Sequence, residues 1–148
     1  MGKVIGIAAQ EKENLPITVY ASAKVSFNNG VADDYRGALK NDQQITVISQ
    51  ESWDKVCEEL GTKLHWTLSN VNIIVEGIDL EDSKGNFLKI GNFYLEITGE
   101  NTPTDKFDDV FTGLKEALTP NWRGGVTAKV YSEGVINEKD EVTLMIKE

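Results

Sequence analysis

Apolar and polar residues alternate along several short segments of this chain, and the alternation predicts β-strands. The longest run covers residues 17–27, where every second residue is apolar. Because successive side chains of a strand point to opposite faces of a sheet, this pattern is typical of a strand with one buried face. Residues 4–9 are continuously apolar apart from one glycine and predict a short buried strand. We predict further strands over residues 45–48, 71–78, 87–90, 93–98, 126–131 and 142–146.

Two other segments have helical spacing. The first begins after Ser49, whose hydroxyl can cap a helix, and ends near Leu60, just before Gly61. Its apolar side chains recur every three or four residues and are Trp53, Val56, Cys57 and Leu60. A second short helix is predicted to begin at Asp108-Asp109 and to carry Phe111, Leu114 and Leu118.

The order of these elements predicts the fold class. Gly91-Asn92 lies between two of the strands and is typical of a two-residue hairpin turn. Residues 31–43 are polar and predict a surface loop of functional length. About eight strands follow one another with few helical crossovers, so we predict a mainly β fold, a barrel or folded sheet with two short helices. The length of 148 residues fits a single domain over 1–148.

The charge, the cysteine content and the apolar segments of the chain limit which binding partners and which cellular compartment we expect. The formal net charge of −9 disfavours general nucleic-acid binding, although a local basic pocket can still hold a small anion. Cys57 is the single cysteine, which excludes an intrachain disulfide and a cysteine-rich zinc site. No window approaches the roughly 18 apolar residues that a membrane span needs. We therefore expect a cytoplasmic protein with no membrane partner.

Several separated segments, taken in order, resemble small stand-alone bacterial MOSC domains, the family of the C-terminal module of molybdenum-cofactor sulfurases. The segments are residues 1–8, Asp34-Tyr35-Arg36-Gly37, residues 45–53, residues 72–80, Ile90-Gly91, residues 95–100, Trp122-Arg123-Gly124-Gly125-Val126 and Gly134-Val135-Ile136 with Asp140 and Val142. The resemblance implies a MOSC-like β-barrel. It further implies molybdenum-cofactor or sulfur chemistry, with molybdopterin as the cofactor to expect. The resemblance also implies roles for this family in binding molybdenum ions or pyridoxal phosphate.

The chain departs from the family pattern at the reactive position. The family usually has a Pro-Cys pair where this chain has Pro103-Thr104. A threonine hydroxyl cannot form a persulfide and is a poor ligand for a soft metal. Related sequences also tend to carry arginine where this one has Gln43, Leu68 and Ser69, and those losses weaken binding of a phosphate-bearing pterin. The catalytic residue, if there is one, stays unassigned.

The chain has two arginines, Arg36 and Arg123, and a glycine follows each. Arginine offers a fixed fork of donors to phosphate or carboxylate, and glycine permits close backbone approach. One interpretation places both at the rim of an anion pocket, whereas the other makes them surface residues beside turns. The predicted ligand-binding set is Arg36, Asn72, Thr102, Thr104, Trp122, Arg123, Gly124 and Gly125. Here Asn101-Thr102-Pro103-Thr104 forms either a pocket floor or a simple turn, and Trp122 either walls the pocket or fills the core.

Other reactive side chains have structural explanations. Cys57 lies on the apolar face of the predicted helix, which favours a buried structural thiol over a nucleophile. His65 is the single histidine, and no nucleophile motif accompanies it. Asp33 and Asp34 could bind a hard cation, but adjacent carboxylates in an acidic protein more often mark a solvated loop.

Three functions remain open at this point. The leading hypothesis is a MOSC-like domain that binds a pterin-type or other small anionic ligand without cysteine-dependent sulfur transfer. The second is an active sulfur-transfer or molybdenum-cofactor enzyme that uses another group, which requires an exposed, activated Cys57. The third is a catalytically inert protein-interaction module, which an exposed apolar patch away from the pocket would favour.

Overall fold

The computed structural model describes residues 2–13, 15–39 and 41–146; Met1, Asn14, Lys40, Lys147 and Glu148 lie outside the described residues. The strands in the described part are β1 (Gly2–Ala9), β2 (Thr18–Tyr20), β3 (Ser22–Ser26), β4 (Gly30–Val31), β5 (Ile45–Ser49), β6 (Ile73–Glu76), β7 (Phe87–Ile90), β8 (Phe93–Glu100), β9 (Val126–Val130), β10 (Gly134–Asn137) and β11 (Glu141–Met145). The α-helices there are α1 (Gln50–Leu60), α2 (Phe107–Val110) and α3 (Leu114–Leu118). Three 3-10 segments cover Gly37–Leu39, Trp66–Ser69 and Pro120–Trp122.

Seven strands close into a barrel, in the order β1, β6, β5, β9, β8, β7 and β11, because β11 pairs back with β1. The barrel is mixed: β5 and β6 run parallel, with α1 in the connection between them, and the other neighbouring pairs are antiparallel. Strand β2 adds to β1 outside the closed ring. The sequence prediction of a mainly β barrel is confirmed.

The barrel interior holds the larger apolar cluster. Val47 of β5, Ile73 of β6 and Leu95 of β8 are fully buried in it. A second sheet, in the order β10, β3 and β4, contributes Val25 and Ile136 to the same cluster. Burying an apolar side chain of this size contributes about 1.5–3 kcal/mol, so this shared core holds the two sheets together.

Helices α1 and α3 cover one outer face of the barrel. Ile48 and Ile74 point outward from β5 and β6 and pack against Trp53, Val56 and Leu118. Both faces of β5 are therefore buried, which explains why its apolar residues do not alternate with exposed ones. The predicted ends of α1 are confirmed: Ser49 Oγ accepts the Ser52 N–H (3.1 Å), and Gly61 takes the left-handed conformation (φ 69°) after the last turn.

Two sequence predictions about elements are wrong. Residues 17–27 form two strands rather than one, because the chain leaves the barrel sheet after β2 and enters the second sheet at β3. The second predicted helix is broken into α2 and α3, since Phe111 is extended and Gly113 is left-handed (φ 89°). The Asp108 carboxylate stabilises this break by accepting the backbone N–H groups of Gly113 and Lys115, each at 3.2 Å.

No helix in residues 2–13, 15–39 and 41–146 is long and apolar enough to cross a membrane.

Candidate functional site

A buried ion pair joins Asp34 and Arg36 at one end of the barrel. The Asp34 side chain is fully buried, and 16% of the Arg36 side chain is exposed. Arg36 Nε donates to Asp34 Oδ1 and Nη2 donates to Oδ2, both at 2.9 Å, which is the bidentate geometry of a strong arginine–carboxylate pair. The third guanidinium nitrogen, Nη1, donates to the carbonyl oxygen of Asn70 at 2.6 Å. The sequence interpretation of Asp33-Asp34 as a solvated loop therefore holds for exposed Asp33 and is wrong for Asp34.

Asn72 completes the hydrogen bonding of the buried carboxylate. Its Nδ2 donates to Asp34 Oδ2 at 3.0 Å and to the Ala8 carbonyl at 3.1 Å. Its Oδ1 accepts the backbone N–H of Thr46 at 3.1 Å. Asn72 thus links β1, β5 and the 34–37 turn, which is a positioning role at the end of the barrel.

Burial and hydrogen bonding act in opposite directions on the Asp34 pKa. Burial raises the pKa, because the charged form is poorly solvated there. The hydrogen bonds and positive charge of Arg36, together with the backbone N–H groups of Gln10 and Arg36, lower it and outweigh burial. The pKa of Asp34 consequently lies below its ordinary value of 3.8, and the carboxylate is charged at neutral pH.

A cavity of about 370 Å³ opens next to this ion pair, and Thr104 lines it. This Thr104 cavity is walled by side chains from four separate segments, and its lining residues are Gln10, Glu13, Ile17, Tyr35, Thr67, Leu68, Asn70, Thr104, Lys106, Phe107 and Val110. Its volume falls at the lower end of the about 300–1,000 Å³ found for ligand pockets. Thr104, which the sequence resemblance aligns with the family's cysteine, therefore lines a cavity in this chain.

The ion pair lies directly behind the cavity wall. Arg36 does not line the cavity, but it holds the carbonyl of Asn70, which does. The rim of the cavity carries one acidic and one basic side chain, Glu13 and Lys106. The cavity is thus close to neutral in formal charge, with aromatic, amide and hydroxyl groups on its walls.

Arg123 lies in different surroundings. Its Nη1 makes a 2.7 Å ion pair with Glu59 Oε1 and donates to the Ala117 carbonyl at 3.1 Å, while Nε is buried without a partner. Arg123 lines a separate depression of about 540 Å³, with Ser49 and Lys55 of the α1 region. The structure therefore does not bring Arg123 together with Thr104 in one cavity.

The remaining predicted site residues lie near Arg123 or at the surface. Trp122 is half-buried against the barrel core, with a left-handed backbone (φ 59°). Thr102 is exposed and lines none of the described cavities. The close approach that Gly124 and Gly125 permit is to protein backbone: a Cβ on Gly124 would meet the Asn101 carbonyl at 2.5 Å, and one on Gly125 would collide with the Val47 carbonyl.

Cys57 and His65 occupy structural positions. Cys57 packs partly against the outer apolar cluster, with its Sγ 3.8 Å from the Leu64 carbonyl, and lines a third depression apart from Thr104. His65 caps the 3-10 segment at Trp66–Ser69, where its Nδ1 accepts the Thr67 N–H at 3.3 Å. Among the described residues, no three His, Cys, Asp or Glu side chains are close enough to hold a metal ion.

Sequence reasoning missed most of the cavity wall. Gln10, Asn70, Lys106 and Phe107 come from segments that carry no motif, and Tyr35, although it lies in a segment of the resemblance, was not predicted to bind a ligand. The barrel brings these residues together. No local signal marked Asp34 as buried, because its spacing from Arg36 fits a solvated loop equally well.

Comparisons with known proteins agree with this architecture. The structure resembles the crystal structure of the YuaD protein from Bacillus subtilis, with a TM-score of 0.83, 17% sequence identity, and coverage of 100% of this chain and 98% of that one. It also resembles YiiM from Geobacillus stearothermophilus, with a TM-score of 0.74 and 15% identity over 97% of this chain and 75% of that one. YiiM from Escherichia coli gives a TM-score of 0.74 at 10% identity, over 99% of this chain and 71% of that one. At these identities the likeness shows the fold alone.

Sequence comparison gives the family. No curated protein sequence matches the chain. The family model of the MOSC domain matches residues 34–143, which is most of the chain and includes both Asp34 and Thr104. The chain therefore belongs to the MOSC domain family.

Proposed function

We propose that this MOSC domain binds a small pterin-type or other small anionic ligand in the Thr104 cavity and does not transfer sulfur through a cysteine. The observation that carries the proposal is the location of Thr104. The position of the family's reactive residue faces a cavity whose described lining residues include no cysteine. The site therefore keeps a place for a ligand and lacks the thiol.

The cavity wall supports a flat heterocyclic ligand. Tyr35 and Phe107 offer aromatic surface, and such rings pack well against planar groups. Gln10 and Thr67 add amide and hydroxyl groups that can pair with ring nitrogens and carbonyls. A few polar groups placed among apolar ones are typical of a small-molecule site.

An anionic group on the ligand would be held at the rim. The basic side chain of Lys106 is exposed there, and the acidic side chain of Glu13 lies at the same rim. Behind the wall, each guanidinium nitrogen of Arg36 already donates one hydrogen bond within the described part of the chain. The Asp34 carboxylate neutralises Arg36, so this arginine contributes less to anion affinity than an unpaired one would. The site therefore favours a ligand whose heterocycle supplies much of the binding energy.

The donor set fits the pterin portion of molybdopterin better than the metal. Soft, thiolate-rich donors suit molybdenum–sulfur chemistry, and Thr104 offers a hydroxyl where the family has a thiolate. When bound, a molybdenum cofactor supplies redox and oxygen- or sulfur-transfer chemistry. This chain's own residues would bind and orient the pterin, and we assign no step to the metal.

Sulfur transfer through Cys57 has no geometric support in the described residues. Cys57 lies on α1 in a depression that shares no lining residue with the Thr104 cavity. A persulfide on Cys57 would therefore stand in a different depression from a ligand held beside Thr104.

Calorimetric titration tests the proposal. The probes are molybdopterin, free pterin, molybdate and inorganic phosphate. We expect saturable binding of a pterin probe, with affinity about tenfold lower in Phe107→Ala or Lys106→Gln, since one lost contact of this kind changes affinity by roughly that factor. Lys129→Gln, which removes a half-exposed lysine from β9, is the matched control and should leave affinity unchanged. Absence of saturable binding by every probe would contradict the proposal.

One observation favours a second candidate function, a protein-interaction module. Phe87, Tyr94, Tyr131, Met145 and Ile146 line an apolar depression of about 270 Å³ on the outer barrel surface. Tyr131 is 60% exposed and Ile146 is 75% exposed, so the patch lies open to solvent. Sedimentation over a range of concentrations tests self-association through this patch. Loss of a dimer in Tyr131→Glu, but not in Val135→Glu on β10, would support it, and a monomer at all concentrations would count against it.

A further inference from the structure

We propose that Asp34 and Arg36 are positioning residues of the Thr104 cavity, whose buried ion pair fixes three wall residues in place and so sets ligand affinity from behind the wall. The inference rests on the proposed function, because it takes the Thr104 cavity to be the ligand site. Neither residue lines the cavity itself.

Three wall residues from separate segments are tied to this pair. The Gln10 N–H donates to Asp34 Oδ2 at 2.9 Å. The Tyr35 N–H in turn donates to the Gln10 carbonyl at 3.0 Å, so the segment after β1 and the 34–37 turn hold each other. The Asn70 carbonyl accepts from Arg36 Nη1 at 2.6 Å. One ion pair therefore sets the spacing between three walls that are far apart in sequence.

Tyr35 is held most directly. It lies between the two paired residues in sequence, and the Arg36 guanidinium carbon lies 5.7 Å from the centre of the Tyr35 ring. A rotation of either paired residue would move the Tyr35 backbone, which carries an aromatic wall of the cavity. Asn70 has a left-handed backbone (φ 59°), a conformation that asparagine tolerates, and its carbonyl is held from the Arg36 side.

The bidentate fork is the feature that makes the pair suited to positioning. A fork with two parallel hydrogen bonds fixes orientation as well as distance, whereas an ammonium group fixes distance alone. Lysine at position 36 would keep the charge but could not hold both Asp34 oxygens and the Asn70 carbonyl together. Arg36→Lys therefore separates positioning from charge.

The chain offers a matched control for this substitution. Arg123 is similarly buried, with 13% of its side chain exposed, and it also pairs with a carboxylate and a backbone carbonyl. It lies outside the Thr104 cavity. Each substitution weakens the ion pair of a largely buried arginine, so both Arg36→Lys and Arg123→Lys should lower the melting temperature. Only Arg36→Lys should also loosen the wall residues of the Thr104 cavity.

Two readouts on the full chain test the inference. The first is the affinity of molybdopterin by calorimetry, which should fall about tenfold or more in Arg36→Lys and less than about twofold in Arg123→Lys. The second is hydrogen exchange of the Gln10, Tyr35 and Asn70 amides without ligand, which should speed up in Arg36→Lys and in the isosteric Asp34→Asn but not in Arg123→Lys. The second readout holds even if molybdopterin does not bind, so failure of the proposed function is distinguishable from failure of this inference. Unchanged exchange at all three amides in a folded Arg36→Lys, or equal loss of affinity in Arg123→Lys, would overturn it.

Discussion

Asn72 binds the buried carboxylate of Asp34 through its side-chain amide, with Nδ2 at 3.0 Å from Asp34 Oδ2, although the two residues are 38 positions apart in the sequence. Both residues are about 1% exposed. This contact joins the start of β6 to the 34–37 turn behind the Thr104 cavity. The barrel end and the candidate site are thus built on one polar network.

Removing the Asn72 amide should destabilise the protein. Asn72→Ala leaves the Thr46 N–H, the Ala8 carbonyl and one Asp34 oxygen with fewer partners in a buried place. We expect a loss of about 2–4 kcal/mol in the free energy of unfolding, measured by urea denaturation. Asn41→Ala removes an exposed asparagine that accepts a single local N–H and is the control, with an expected change below about 1 kcal/mol. Equal effects of the two substitutions would contradict a structural role for the network.

Acid should weaken the Asp34–Arg36 pair. The pKa of Asp34 in the folded protein lies below 3.8, so the charged carboxylate is favoured by folding. The contribution of this group to stability is therefore fully present above the unfolded-state pKa and is lost as pH falls through the folded-state pKa. The unfolding free energy of the natural chain should exceed that of Asp34→Asn by a constant amount between about pH 5 and pH 7, where an ordinary carboxyl group is ionised. This difference should shrink as the pH falls below 3.8. A difference that grows in acid would contradict this sign.

Alanine substitutions at Gly125 and Gly61 distinguish the cost of backbone strain from the cost of a steric collision. Both have positive φ angles, 86° and 69°, but a Cβ on Gly125 would strike the Val47 carbonyl, whereas one on Gly61 would meet nothing within 4 Å. Gly61→Ala should cost about 1–2 kcal/mol, the cost of a left-handed backbone for alanine. Gly125→Ala should cost more than that, because β5 must also move. Thermal unfolding of the two variants measures the difference, and a smaller loss in Gly125→Ala would show that the 123–126 turn can relax.

Restoring the family cysteine should place a thiol in the cavity. Thr104 is exposed and lines the Thr104 cavity, so Thr104→Cys should react readily with a thiol reagent, while the half-buried Cys57 reacts slowly. Thr102→Cys, which is exposed outside the described cavities, is the control. A pterin probe should slow labelling of Thr104→Cys and leave Thr102→Cys unaffected. Equal protection of both thiols would argue against a ligand at Thr104.

Local sequence signals predicted the parts of the fold that depend on neighbours in the chain. The Ser49 cap, the Gly61 end of α1 and the Gly91-Asn92 turn each depend on backbone chemistry within a few residues. The break between β2 and β3 did not follow from alternation, since the pattern of side chains continues across the change of sheet. Alternation reports which face is buried, and it does not report which sheet buries it.

The candidate site was predictable only in part, because it is assembled by closure of the barrel. The resemblance indicated Thr104 and Arg36, and the structure places these in and directly behind one cavity. Charge spacing alone could not show that Arg36 is neutralised by Asp34, or that Arg123 turns toward Glu59 on α1. The sequence contains both carboxylates, Asp34 and Glu59, but no local pattern distinguishes a carboxylate that pairs with an arginine in the fold from a solvated one.

The measurement that tests the account most directly is residue-by-residue NMR mapping of the full chain during titration with molybdopterin. If the ligand binds beside Thr104, saturable shifts should concentrate at the wall of the Thr104 cavity, on Gln10, Tyr35, Asn70, Lys106 and Phe107. Saturable shifts centred instead on the depression around Arg123 or on Cys57, with the Thr104 wall unchanged, would contradict it.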